Sequence, residues 1–178
     1  ATGTADIAII LAQIKNCNIV GVDISQKMLS LDQKKIEKLF LNNKIKLESG
    51  DVENLKYPEN YFNVITIGYG VRNFENLEKG LKECKRVLNE KGTIIILETS
   101  VPKNNIIKFF YNIFSSSIIP IIGRFFSKNP SAYRYLNKSS SIFPSGKKFE
   151  KILLESGFTN VEIKPLLFGA STIYLAYK

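Results

Sequence analysis

Apolar positions along the chain switch between helical and strand periods, and the switches set out a succession of elements. Ile7, Ile10, Leu11 and Ile14 recur at helical spacing and predict a helix over residues 6–15. Residues 18–23 (N-I-V-G-V-D) form a short apolar run that ends in an acid and reads as a buried strand. Ser25 is a suitable cap for a helix from Gln26 to about Phe40, and residues 44–47 read as the next strand. Residues 63–68 (N-V-I-T-I-G) read as another buried strand, and 93–97 (T-I-I-I-L) as a continuous apolar strand, as expected of a central parallel strand. Between them residues 77–88 are helical, with Leu77, Leu81, Cys84 and Leu88 on one face. The rhythm then changes. Residues 102–141 are rich in Ile, Phe, Tyr and Ser and carry no strand pattern; a helix is predicted over 106–119, ended or kinked at Pro120. Regular alternation resumes with a helix over 145–156 and Gly157 as its C-cap. Two strands, 161–167 and 172–176, then meet at the Gly169 turn as a terminal hairpin.

Alternating βα units predict an α/β fold, a mostly parallel sheet with helices on both faces. The expected organisation is a single domain over residues 1–178, with a helical insertion at about 102–141. A length of 178 residues suits one domain and a substantial core. The chain has no histidine, which removes the commonest general base, Ser-His-Asp chemistry and nearly every type of zinc enzyme, so no metal is expected. Its two cysteines, Cys17 and Cys84, make no disulfide framework and read as reduced thiols of a cytoplasmic protein. The net charge of +9 is compatible with an anionic partner, but Lys, Ile and Asn are also what an AT-rich genome favours. The longest uncharged stretch, residues 109–123, falls short of the ~20 residues a spanning helix needs.

Candidate chemistry gathers where strands end, the edge at which open α/β sheets bind ligands. Ala1-Thr2-Gly3-Thr4-Ala5-Asp6 precedes a helix, and its small residues allow close backbone approach to a ligand. Asp23 closes the next strand, where an acid can grip ribose hydroxyls or simply cap the following helix. Gly50-Asp51-Val52 follows the third run, where a carboxylate can accept from an exocyclic amine or make an Asx turn. Together and in this order the three describe an adenosine site.

With these residues in hand, the chain resembles a class I S-adenosylmethionine-dependent methyltransferase, and within that group the UbiE/menaquinone (ubiquinone) biosynthesis C-methyltransferase family. A-T-G-T-A-D resembles the family's glycine loop, V-G-V-D-I-S its second-strand motif, and residues 50–65 its adenine loop running into the fourth strand. I-G-Y-G-V-R-N-F at 67–74 is similar to a narrower family signature, as is A-Y-R-Y-L-N-K-S at 132–139. Ala5 stands where the family usually has a second glycine, and Asn89-Glu90-Lys91 stand where it has Lys-Pro-Gly. The family's opening strand, which ends in Asp, is missing, so the chain is expected to begin inside its first motif, N-terminally truncated.

The resemblance implies a Rossmann-like sandwich and S-adenosylmethionine held by Gly3, Thr4, Asp23, Ile24, Asp51, Val52 and Gly68. It also implies methyl transfer to a ring carbon of a polyprenyl quinol, with Arg72 and Asn73 as catalytic residues; Tyr133, placed in the catalytic set with them, and Tyr135 read as contacts to the quinol ring or its oxygens, or as packing residues of the insertion. In related folds the 102–141 insertion is the lid over the acceptor. A guanidinium stays protonated below pH ~12, so Arg72 is expected to act as a fixed cation on a developing phenolate; its structural alternative is a salt bridge to Glu75 or Asp23. Glu98, at the end of the 93–97 run, reads as a proton acceptor or a capping group. The Ile- and Phe-rich stretch 106–126 with basic flanks suits peripheral contact with the inner membrane face, or plain packing on the domain. Self-association into a homodimer stays open, as does the choice between menaquinone and ubiquinone precursors. Nucleic acid is not an expected partner, since Gly68-Tyr69-Gly70-Val71-Arg72-Asn73 occupies the place where base-methylating enzymes usually carry an N/D-P-P-Y run. A third reading, a non-catalytic methyltransferase fold serving as a partner in a quinone-synthesis assembly, is countered by Asp23, Asp51, Arg72 and Asn73.

Overall fold

A computed structural model describes residues 1–102, 104–113, 139 and 142–178. Its strands form two sheets. In the first, β1 (Ile19–Asp23) runs parallel to β2 (Ile45–Ser49). In the second, β3 (Phe62–Gly68) is parallel to β4 (Leu88–Thr99), β6 (Ser171–Tyr177) is antiparallel to β4, and β5 (Thr159–Leu166) is antiparallel to β6, giving the order β3-β4-β6-β5. The opening segment lies between the sheets. The Thr2 amide donates to the Val22 carbonyl at 2.9 Å, and Ile7 packs over Gly68 so closely that a Cβ there would lie 2.6 Å from its Cδ1.

The helices form where the polar and apolar periods place them, with shifts at their ends. Helix α1 (Asp6–Leu11) is shorter than expected; beyond it the amides of Gln13 and Ile14 bond three residues back, and Asn16 turns left-handed at φ 57°. Its buried face also differs. Ala8 and Ala12 are inside while Ile10 and Ile14 are exposed, because small side chains let the helix sit close to Ile36 and Ile45. Helix α2 (Gln26–Lys38) starts as expected, with the Ser25 hydroxyl accepting from the Met28 amide at 3.3 Å. Helix α3 (Leu77–Val87) is capped by the Asn76 side chain, which accepts from the Lys79 amide at 3.0 Å. Leu88, read as part of that helical face, instead opens β4 and is fully buried there. Helix α4 (Asn105–Ile113) begins the insertion, most of which lies outside the described residues. Helix α5 (Lys147–Glu155) ends where Gly157 adopts φ +93°.

The larger core joins α3 and α5 to the four-stranded sheet through Leu81, Cys84, Phe149, Leu153, Ile96 and Tyr174. The Cys84 thiol is pushed up to about 12 by its burial, so it stays protonated and inert. The smaller core is Ala5, Ala8, Ala12, Ile36 and Ile45. None of the described helices is long and apolar enough to cross a membrane. The parallel strands β1 to β4 end on Asp23, Ser49, Gly68 and Thr99, and each end leads into one of the segments singled out for chemistry.

Candidate active site

At the end of β1 the Asp23 carboxylate is almost fully buried and holds two chain segments at once. Its Oδ2 accepts from the Gly3 amide at 2.9 Å and its Oδ1 from the Ser25 amide at 2.9 Å. The acid thus both shapes the glycine loop and caps the turn into α2, and each oxygen keeps a further lone pair for a ribose hydroxyl. Gly3 sits at φ +58° with no atom within 4 Å of where a Cβ would be, so the loop presents bare backbone to open space. Ala5 is left-handed too, at φ 54°, and fully buried. Replacing the usual glycine there therefore costs backbone strain of ~1–2 kcal/mol rather than space. Thr4 bonds the Asp6 carboxylate, Lys35 pairs with the same acid, and the Lys35 ammonium also donates to the Thr4 carbonyl at 3.1 Å. Hydrogen bonds from Lys35 and Thr4 hold the Asp6 carboxyl below its ordinary value.

Ile24 follows Asp23 with its side chain in solvent. Asp51 is exposed, and its Oδ1 accepts from the Glu53 amide at 2.9 Å, the Asx turn that was the plainer alternative for it. Val52 is half-buried against the larger core. Gly68 is half-buried beneath Ile7.

Arg72 and Asn73 lie on a single 3-10 turn, Val71–Asn73, directly after β3. The Arg72 side chain is only 9% exposed and is ion-paired with Glu98, which is fully buried. Neither Glu75 nor Asp23 is its salt-bridge partner. The parallel register that sets Gly68 beside Leu97 puts Glu98 next to the turn after β3. Glu98 Oε1 also accepts from the Thr99 amide at 2.7 Å. Two atoms of the pair, Arg72 Nε and Glu98 Oε2, are buried with no hydrogen-bond partner among the described residues. Tyr69 lies under the guanidinium, its ring centroid 5.8 Å from Cζ, and its hydroxyl is 3.1 Å from the Ser171 hydroxyl. Tyr69 is also left-handed, at φ 53°. Tyr133, and Tyr135 beside it, lie outside the described residues.

Sequence reasoning gave no role to Tyr69, Ser100 or Ser171. The left-handed turn at Tyr69 has no marker beyond the glycines on either side. Ser171 meets Tyr69 only because β6 runs back along β4, with Ser171 opposite Thr99.

These groups suit an adenosine-bearing methyl donor in kind: an acid at a strand end, an open glycine backbone beside it, and an exposed apolar side chain next in line. Their place on parallel strand ends is that of ligand sites in Rossmann-like folds. The chain matches the ubiE/COQ5 methyltransferase family over residues 1–178 and belongs to it, which makes it an S-adenosylmethionine-dependent methyltransferase. It is 37% identical over 179 residues to a demethylmenaquinone methyltransferase of Bacteroides fragilis, covering 100% of this chain and 73% of that protein. It is 39% identical over 183 residues to the ubiquinone/menaquinone biosynthesis C-methyltransferase UbiE of Rickettsia prowazekii, covering 100% and 74%. The fold is shared with the crystal structure of a SAM-dependent methyltransferase from Aquifex aeolicus, with TM-score 0.70 at 15% identity over 98% of this chain and 77% of that one.

Proposed function

We propose that this chain methylates a ring carbon of a polyprenyl quinol, with demethylmenaquinol as acceptor and menaquinol as product. The observation that carries the reading is the buried Arg72–Glu98 pair beside β3 and β4, in a chain that is matched along its whole length by relatives named as quinone methyltransferases. S-adenosylmethionine supplies, when bound, a methyl group made electrophilic by its sulfonium.

The chain's own residues supply the rest. Asp23 and the Gly3-Thr4 backbone hold the ribose end of the donor, Ile24 and Val52 flank the adenine, and Asp51 accepts from its amine with the oxygen not used in the Asx turn. Gly68 leaves room at the end of β3 for the Ile7 side chain, which brings the start of α1 and the glycine loop against that strand end. A hydroquinone is nucleophilic at carbon, and more so once a neighbouring hydroxyl loses its proton. Arg72 stabilises that phenolate as a fixed cation. Glu98 and the Tyr69 ring hold the guanidinium in place, and Arg72 Nε, with no partner among the described residues, has donor capacity to spare. Asn73, next on the same turn, orients the acceptor. The lid role expected of the 102–141 insertion and of Tyr133 falls mostly outside the described residues. A lipid acceptor also implies peripheral contact of a cytoplasmic protein with the inner membrane face. Nothing in this mechanism requires a homodimer.

The test is methyl transfer from labelled donor to each of two quinols, demethylmenaquinol and 2-polyprenyl-6-methoxy-benzoquinol, followed by mass spectrometry of the product. Carbon methylation of demethylmenaquinol is expected. Comparable turnover of both quinols would widen the acceptor to the ubiquinone pathway. Turnover of neither, with donor binding intact by calorimetry, overturns the reading.

A further inference from the structure

The hairpin between β5 and β6 ends in a tip whose two large side chains join neither core among the described residues. Leu167 and Phe168 both adopt positive φ, 48° and 56°, and their side chains are 74% and 84% exposed. A bulky side chain in the left-handed region is a genuine outlier, and its cost is ordinarily offset by burial or by function. Here burial offsets nothing. The backbone beneath the tip, by contrast, is firmly tied to the end of β4. The Ser100 hydroxyl donates to the Gly169 carbonyl at 2.8 Å, the Ser100 amide to the Ala170 carbonyl at 3.0 Å, and Gly169 lies against Pro102. Three residues past Phe168, Ser171 meets Tyr69, whose ring lies under Arg72. The tip therefore presents two large apolar side chains rigidly, on the same edge as the proposed acceptor site. Val101, Ile106 and Phe109, on the segment leaving that end of β4, are exposed as well.

Between Glu98 and Glu150 the sequence has no acidic residue and eight basic ones, so this stretch carries +8 of the net +9. Lys108, Lys147 and Lys148 of these are described and exposed. Exposed apolar wedges on a chain of strong net positive charge suit the headgroup boundary of an anionic bilayer. A second protein fits less well, since two side chains fall far short of the roughly 800 Å² per partner of a stable interface.

We propose that Leu167 and Phe168 form a membrane wedge that seats the acceptor edge on an anionic bilayer surface. The inference rests on the lipid-acceptor reading for its purpose but not for its test. The full chain and a Leu167→Asn/Phe168→Asn double variant are compared in flotation with phosphatidylglycerol–phosphatidylcholine vesicles and with phosphatidylcholine alone. Asn tolerates the left-handed backbone, so the hairpin is kept, and an unchanged melting temperature checks this. The variant should lose about tenfold or more in partition to the mixed vesicles, and the unaltered chain should bind pure phosphatidylcholine weakly. With quinols, the variant should match the unaltered chain on a short-tailed, water-soluble acceptor and fall behind on a long-tailed one embedded in vesicles. Equal vesicle binding by variant and unaltered chain overturns the wedge whatever the kinetics, as does a change of oligomeric state in the variant with vesicle binding retained. Tip-dependent vesicle binding without methylation of either quinol leaves the wedge standing and overturns the acceptor reading instead.

Discussion

Burying a guanidinium and a carboxylate together costs several kcal/mol in lost hydration, which attraction repays only when the remaining donors and lone pairs are satisfied. Arg72 and Glu98 are buried with one atom each unpaired among the described residues, so stability is a poor reason for the pair to exist. Arg72→Met should strand the Glu98 carboxylate, destabilise by ~3–5 kcal/mol, and lower kcat by ~10²–10³. Adding Glu98→Gln removes the stranded charge, so the melting temperature should largely recover while kcat stays low. Recovery of both would make Arg72 a structural residue and sink the phenolate mechanism; thermal melts and steady-state rates on the single and double variants decide it. Asp32 is a second acid in the wrong surroundings. It is 2% exposed, its Oδ2 has no partner among the described residues, and its carboxyl is pushed up by desolvation, with Asp23 and Asp6 adding to the effect. A raised carboxyl favours folding fully below its unfolded value of ~3.9, and that contribution is lost as pH rises through the folded value. At neutral pH, then, Asp32 works against the fold. Asp32→Asn should raise the melting temperature by about 2–4 °C at pH 7, with the gain shrinking as pH falls toward 4. A gain independent of pH would mean that titration is not its source.

Elements were easier to foresee than the faces they bury. The strands ending at Asp23 and Gly68 and the capped start of α2 follow from local signals: an apolar run, an acid, a serine. In α1 those signals mislead, because the helical stripe of Ile10 and Ile14 is exposed and the alanine stripe is inside, a choice made by distance to α2 and β2 rather than by hydrophobicity. The site divides in the same way. Asp23 and its loop are contiguous in sequence with the elements that place them, whereas Arg72 finds Glu98 through a parallel register and Tyr69 finds Ser171 through an antiparallel one, pairings that no local motif states. Helix α3 carries a related conflict that can be measured. Gly80 lies inside it, where alanine would gain ~1 kcal/mol of helix propensity. A Cβ there would meet the Phe74 ring at 2.6 and 2.9 Å, and that ring packs against the larger core. Overpacking costs ~1–3 kcal/mol, so Gly80→Ala should be destabilising on balance. In a Phe74→Leu background the same change should become neutral or stabilising. Denaturant midpoints for the four chains of the cycle check the sign reversal, and its absence would show that the ring moves aside freely.

At the scale of the molecule, one proposed ligand site draws on two groups of strands among the described residues, β1–β2 and β3–β6. The β1–β2 half buries three alanines and two isoleucines, whereas the β3–β6 half packs two helices on its sheet through side chains as large as Phe149 and Tyr174. Opening free energy follows buried apolar surface, so the smaller half should open first, as a unit of its own. Amide hydrogen exchange should therefore be faster in β1 and β2 than in β4 and β6 when no donor is bound. The proposed donor site draws Gly3, Asp23 and Asp51 from around the smaller half and Gly68 from the larger, so opening the smaller half must release the donor. Binding to the closed form alone adds RT ln(1 + [L]/Kd), about 2.7 kcal/mol at a hundredfold excess over Kd. Exchange in β1 and β2 should then slow by about a hundredfold at that excess. Equal protection of the two halves without donor would show that they open together. Unequal protection that S-adenosylmethionine leaves unchanged would show that the donor is not held by Asp23 and the glycine loop.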